Sequence, residues 1–183
     1  MKKSKLILLI VGIVLVITGI TYAIFTWTGK TNIKGSAECF DVNYVKGRDI
    51  GSDENKQMLK IGDGPLDGVS STIEVGLNNK CTITSGSGTL YIEVDDSTSN
   101  ILITSGILKY QIIDGNNIAV EEGTITSKGS NVVYDNFKVT STNKPIIVIV
   151  WLDSSKLTQN NRNAILSSTF SGKVNVKVES RRE

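Results

Sequence analysis

The side chains best suited to hold a ligand are gathered in acid-rich turns. "DIGSDEN" supplies Asp49, Asp53 and Glu54, "GDGPLDG" supplies Asp63 and Asp67, and "VDDSTSN" supplies Asp95, Asp96 and Asn100. Oxygen donors on turns are what calcium, a hard cation, prefers. None of the three stretches follows the twelve-residue helix–loop–helix calcium pattern. Asp and Gly at these spacings are otherwise ordinary turn residues. Asp49, Asp53 and Asp63 form the calcium set if one site exists; failing that, no metal and no cofactor is expected.

Other chemistries are narrowed by what the chain lacks. There is no histidine among its 183 residues. This removes the commonest general base, the commonest zinc ligand and every Ser/His or Cys/His pair. A hydrolytic zinc site would have to be all-carboxylate, which suits zinc badly. "TSGSGT" (Thr84–Thr89) is Gly-rich, but it lacks the Lys of a phosphate loop and leads into a strand, so it reads as a turn. Tyr44, Tyr91, Tyr110, Tyr134 and Trp151 could form a sugar-stacking face, yet most alternate with inward residues and so read as core. The expectation is a protein that is not an enzyme; a carboxylate-only enzyme is a distant alternative.

Cys39 and Cys81 are the only cysteines. In an oxidising compartment two lone cysteines pair by default, and a loop of this size contributes on the order of 3–4 kcal/mol. Two buried thiols are the other reading.

The elements that must position these groups are strands. Gly, Ser, Thr and Asn are plentiful, Pro is nearly absent, and apolar residues alternate with polar ones. "SAECFDVNYV" sets Phe40, Val42 and Tyr44 on one face. "STIEVGLNN" does so with Ile73, Val75 and Leu77, "GTLYIEVDD" with Leu90, Ile92 and Val94, and "ILKYQIIDG" with Leu108, Tyr110 and Ile112. Asp114-Gly115-Asn116-Asn117 makes a hairpin turn into "IAVEEGTI". "NVVYDNFKV", the unbroken apolar run of "KPIIVIVWLD" and "FSGKVNVKVE" complete seven to nine strands. One short helix is expected near Asn163–Ser167. The fold class is all-β, a single β-sandwich or jelly roll over 36–183. Lys46–Ser70 shows no periodicity and reads as a long surface excursion.

Ahead of this body stands "MKKSK" and then an uncharged apolar run, Leu6–Trp27. As a helix, these 22 residues span about 33 Å, enough for a bilayer's hydrocarbon layer. Residues 1–27 are therefore a transmembrane anchor, or a signal peptide cut between Ala23 and Ile24 after "Thr-Tyr-Ala"; residues 28–35 are a linker or first strand. Either way the lysines hold the N-terminus inside and the body is exported. Three of the 20 basic and none of the 18 acidic side chains precede residue 24, so the body carries 17 against 18, a net charge of −1. It attracts no nucleic acid.

Gly19, Thr21, Tyr22, Ala23 and Phe25, with Ile20 inserted, resemble the Gly-Thr-aromatic-Ala-any-Phe signal ending of the TasA/camelysin group of Gram-positive exported proteins. That resemblance implies trimming by a dedicated signal peptidase, a jelly-roll domain and, for some members, polymerisation into biofilm fibres. The cysteine pair and the shorter domain depart from the fibre-forming members. The expectation is a surface or extracellular-matrix protein, secreted or on the extracellular face of a bacterial membrane, whose partners are the membrane, through the N-terminal segment, and other copies of itself or other surface proteins. In that reading Ile24–Gly35 adds as a strand to a neighbour. The alternative is a membrane-tethered module binding glycan, protein or calcium through Lys46–Ser70.

Overall fold

The computed structural model describes residues 39–46, 48–50, 59–78 and 82–180, all within one compact unit, Ile33–Glu183. The apolar run, the Ala23–Ile24 bond, the linker, Asp53 and Cys81 lie outside the described residues.

Among the described residues ten strands follow in order: β1 (Phe40–Lys46), β2 (Asp49–Ile50), β3 (Ile61–Gly62), β4 (Val69–Leu77), β5 (Gly86–Val94), β6 (Leu108–Ile113), β7 (Ala119–Thr124), β8 (Gly129–Val139), β9 (Lys144–Asp153) and β10 (Gly172–Ser180). One sheet runs β1-β4-β9-β6-β7, and the other β2-β10-β5-β8. Pairing is antiparallel throughout except where β3 lies parallel to β9, with Ile61 opposite Leu152. The all-β expectation holds.

Period-two alternation sends one side chain in two to the interior. Ile73, Val75, Val148, Val150, Leu108 and Ile112 come from the first sheet, and Leu90, Ile92, Val94, Val174, Val176 and Val178 from the second. All lie in one hydrophobic cluster. Burying a side chain of this size contributes about 1.5–3 kcal/mol. The apolar run of β9 follows from its place between β4 and β6. Its outward Trp151 is buried as well, whereas Ile147 and Ile149 are half-buried.

Three expectations need correction. "TSGSGT" is no turn: Gly86, Ser87, Gly88 and Thr89 open β5. The two glycines serve packing. A β-carbon on Gly86 would fall 2.4 Å from Phe40 Cε1, and one on Gly88 2.2 Å from Phe137 Cζ. The excursion Lys46–Ser70 contains β2, β3 and a 3-10 turn, Pro65–Asp67, and Ile50 within it is fully buried. Besides the expected helix near Asn163, found as Arg162–Leu166, a second spans Asn100–Thr104 and buries Leu102.

Candidate functional site

A crevice of about 200 Å3 opens between the two sheets, beside β8. Its apolar floor is Val75 of β4, Ile146 of β9 and Phe137 of β8. Its rim is Asp114 and Gly115 from the β6–β7 turn, Tyr134 and Lys138 from β8, Thr140 and Thr142 from the next loop, and Lys144 at the start of β9.

Two irregularities in β8 shape it. Leu90 faces Tyr134 and Tyr91 faces Val132, so Val133 is extra; Gly88 faces Phe137, so Asp135 and Asn136 are crowded against Thr89. Asn136 takes φ 55°, a left-handed conformation that Asn tolerates better than most residues. The Asp135 carboxylate accepts from Thr89 Oγ1 at 2.7 Å and from the Asn136 N–H at 2.8 Å, fixing the bulge. Bulges re-aim side chains. Here Tyr134 comes to stack on Phe137, with centroids 5.3 Å apart and planes 17° from parallel.

The charged groups of the rim differ in availability. Asp114 is committed to its own turn, accepting from the N–H groups of Asn116 (2.9 Å) and Ile118 (3.1 Å) and from Asn116 Nδ2 (3.1 Å). Those backbone donors, helped by Lys144, hold its carboxyl below the ordinary value. Burial, then the charges of Asp114 and Glu121, push the Tyr134 hydroxyl up, so it stays a donor. Lys138 and Lys144 are exposed, and the ion pairs found among the described residues, Lys173–Glu93 and Lys177–Glu179, involve neither.

A second feature is the outer side of β10. β5 pairs with β10 from Gly172 to Ser180, while β2 covers only Gly172 and Lys173. The Val174 N–H reaches the Arg48 carbonyl at 2.9 Å, and the Val176 N–H donates to the Tyr44 hydroxyl. Beyond these contacts, no strand among the described residues pairs with β10 on that side.

Of the calcium set, Asp53 lies outside the described residues and the other two stand at different sheets. Asp49 belongs to β2 in one sheet, while Asp63 follows β3 in the other and is bonded by Ser154 Oγ. Its N–H donates to Asp67 at 3.2 Å, so Asp63 and Asp67 shape a turn. Asp95 accepts from Ser171 Oγ at 2.6 Å. Among the described residues no three acidic or Cys side chains converge as metal ligands would. The five aromatics singled out do not form one face. Tyr44 lies under Arg48 beside β10, Tyr134 lines the crevice, and Trp151 is buried. Cys39 is half-buried against the core ahead of β1, and its carbonyl accepts from Asn78 at 2.8 Å.

The crevice was missed in the sequence because it depends on two bulges. The signal available was Asp-Asn inside an apolar alternation, a pair that favours left-handed backbone. No protein-family model matches the chain, and no curated protein matches it either.

Proposed function

We propose that this is a non-enzymatic, exported β-sandwich of the cell surface or extracellular matrix, acting by contact and assembling by strand addition as a TasA-like fibre subunit. The observation that carries this reading is the outer side of β10, which among the described residues no strand pairs with beyond β2 and which only Arg48 and Tyr44 touch further on, at Val174 and Val176. β2 covers two of its nine residues. An exposed strand edge invites pairing with another chain through main-chain hydrogen bonds. The donor in this reading is Ile24–Gly35, released when the bond after Ala23 is cut. Two antiparallel sheets ordered β1-β4-β9-β6-β7 and β2-β10-β5-β8, between which the chain crosses at β4–β5, β5–β6, β7–β8, β8–β9 and β9–β10, support a jelly-roll reading of the sandwich.

The test is to purify residues 24–183 and examine them at high concentration by sedimentation and electron microscopy. Fibres or a concentration-dependent series of oligomers are expected. Monomers alone would remove strand addition.

A membrane-tethered binding module is the second reading, and the crevice beside β8 favours it over the Lys46–Ser70 excursion. Mass spectrometry of the native N-terminus separates the two. A start at Ile24 supports secretion; an intact N-terminus in the membrane fraction supports the tether.

A further inference from the structure

We propose that the crevice between the sheets binds one anionic sugar residue, a pyranose ring carrying a carboxylate or phosphate. Its lining dictates this class. Tyr134, backed by Phe137, presents an aromatic surface at the rim. The face of such a ring is electron-rich. It complements the C–H face of a pyranose, whose hydrogens carry partial positive charge. Tyr134 is held in place, because Phe137 behind it is itself wedged against Gly88. A preformed platform loses little side-chain freedom on binding.

Thr140, Thr142 and the Tyr134 hydroxyl supply neutral groups that can donate to or accept from ring hydroxyls. The charges select the anion. Asp114 spends its oxygens on the Asn116 and Ile118 N–H groups, whereas Lys138 and Lys144 make no ion pair with any described residue. Lys144 already stabilises the Asp114 carboxylate, so Lys138 supplies the ammonium group that, beside an aromatic platform, favours a carboxylate or phosphate on the sugar over a neutral ring. Volume limits the ligand further. About 200 Å3 falls short of the roughly 300–1,000 Å3 of pockets that enclose drug-sized molecules. The crevice fits one residue of a glycan, with its neighbours left in solvent.

This inference is independent of strand addition at β10: a fibre subunit and a tethered module can both carry such a site. Saturation-transfer NMR on the full chain in detergent micelles tests it, with glucuronic acid, glucose 6-phosphate, glucose and inorganic phosphate as probes. Both acidic sugars should receive saturation, strongest on the ring C–H protons. Glucose should bind about tenfold more weakly, the effect expected of one charge-assisted contact. Lys138→Gln combined with Lys144→Gln, both at exposed positions, should remove the preference for the acidic sugars. Tyr134→Ala should abolish the ring signals. Equal binding of glucose and glucuronic acid would overturn the proposal. So would displacement of the sugars by inorganic phosphate at equal concentration, or saturation that persists in both variants.

Discussion

The backbone N–H of Val176 donates to the hydroxyl of Tyr44, so a side chain from β1 occupies one of the hydrogen-bonding positions on the outer side of β10. Arg48 lies over the same ring, 5.1 Å from its centroid, and bonds Asn175 Oδ1 at 2.8 Å. Together these side chains cap the edge just past the end of β2. Tyr44→Phe keeps the ring beneath Arg48 and removes only the acceptor. It should lower stability to urea by about 1–2 kcal/mol, because both the Val176 N–H and the Arg48 side chain hydrogen-bond that oxygen. By exposing the Val176 N–H it should also increase self-association in sedimentation. Lower stability with unchanged association would detach the Tyr44 contact from assembly.

Gly88 and Gly64 should respond differently to alanine. A β-carbon at Gly88 would meet Phe137 Cζ at 2.2 Å, and stacking on Tyr134 restricts the ring's retreat. Gly88→Ala should cost about 1–3 kcal/mol, as overpacked cores do. Gly64 is extended, at φ 179°, with nothing within 4 Å of such a carbon. Gly64→Ala should stay within about 0.5 kcal/mol of the parent. Thermal unfolding of the two variants decides, and equal shifts would refute the wedge at Phe137.

The strands were legible because a half-buried sheet writes itself as alternation. Leu90, Ile92 and Val94 in one strand and Val174, Val176 and Val178 in its partner lie as their spacing requires. Asp114-Gly115-Asn116-Asn117 carried its hairpin in its own turn chemistry, with Asn117 at φ 61°. What escaped were features set by distant partners. Gly86 and Gly88 look like a turn until Phe40 and Phe137, far along the chain, are seen to need the space. Ile50 is buried through a two-residue strand paired with β10, too short a segment for any periodicity to register. The crevice depends on bulges at Val133 and Asn136, and a bulge appears in sequence only as a broken alternation.

Cys39 stands just before β1, and Cys81, outside the described residues, precedes β5. If they pair, the bond closes a loop holding β1 to β4. Removing such a cross-link costs about 4 kcal/mol through the restored freedom of the unfolded chain. Protein from an oxidising compartment should then show no free thiol by mass spectrometry after alkylation. Its unfolding temperature should drop with reductant, and Cys39→Ser should match the reduced parent. Full alkylation of both residues without reductant would refute the pairing.

Alkaline pH should destabilise the body through its tyrosines. Burial raises the Tyr44 hydroxyl above the ordinary 10.0, outweighing the opposing influence of Arg48 and the Val176 N–H. Burial raises Tyr110 and Tyr134 in the same direction. Below pH 10 each phenol is protonated in both states, and its contribution to stability is complete. As the pH climbs past that value, the unfolded chain ionises first and holds fewer protons than the native one, so stability falls with rising pH until the native hydroxyls also ionise. The exposed Lys177, raised by its hydrogen bond to Glu179, adds a loss of the same sign above its ordinary 10.5. The urea midpoint should therefore be level on the neutral side and decline above about pH 10. Tyr44→Phe should make that decline shallower, having already removed one ionising group. A variant declining as steeply as the parent would show that Tyr44 is not among the groups responsible.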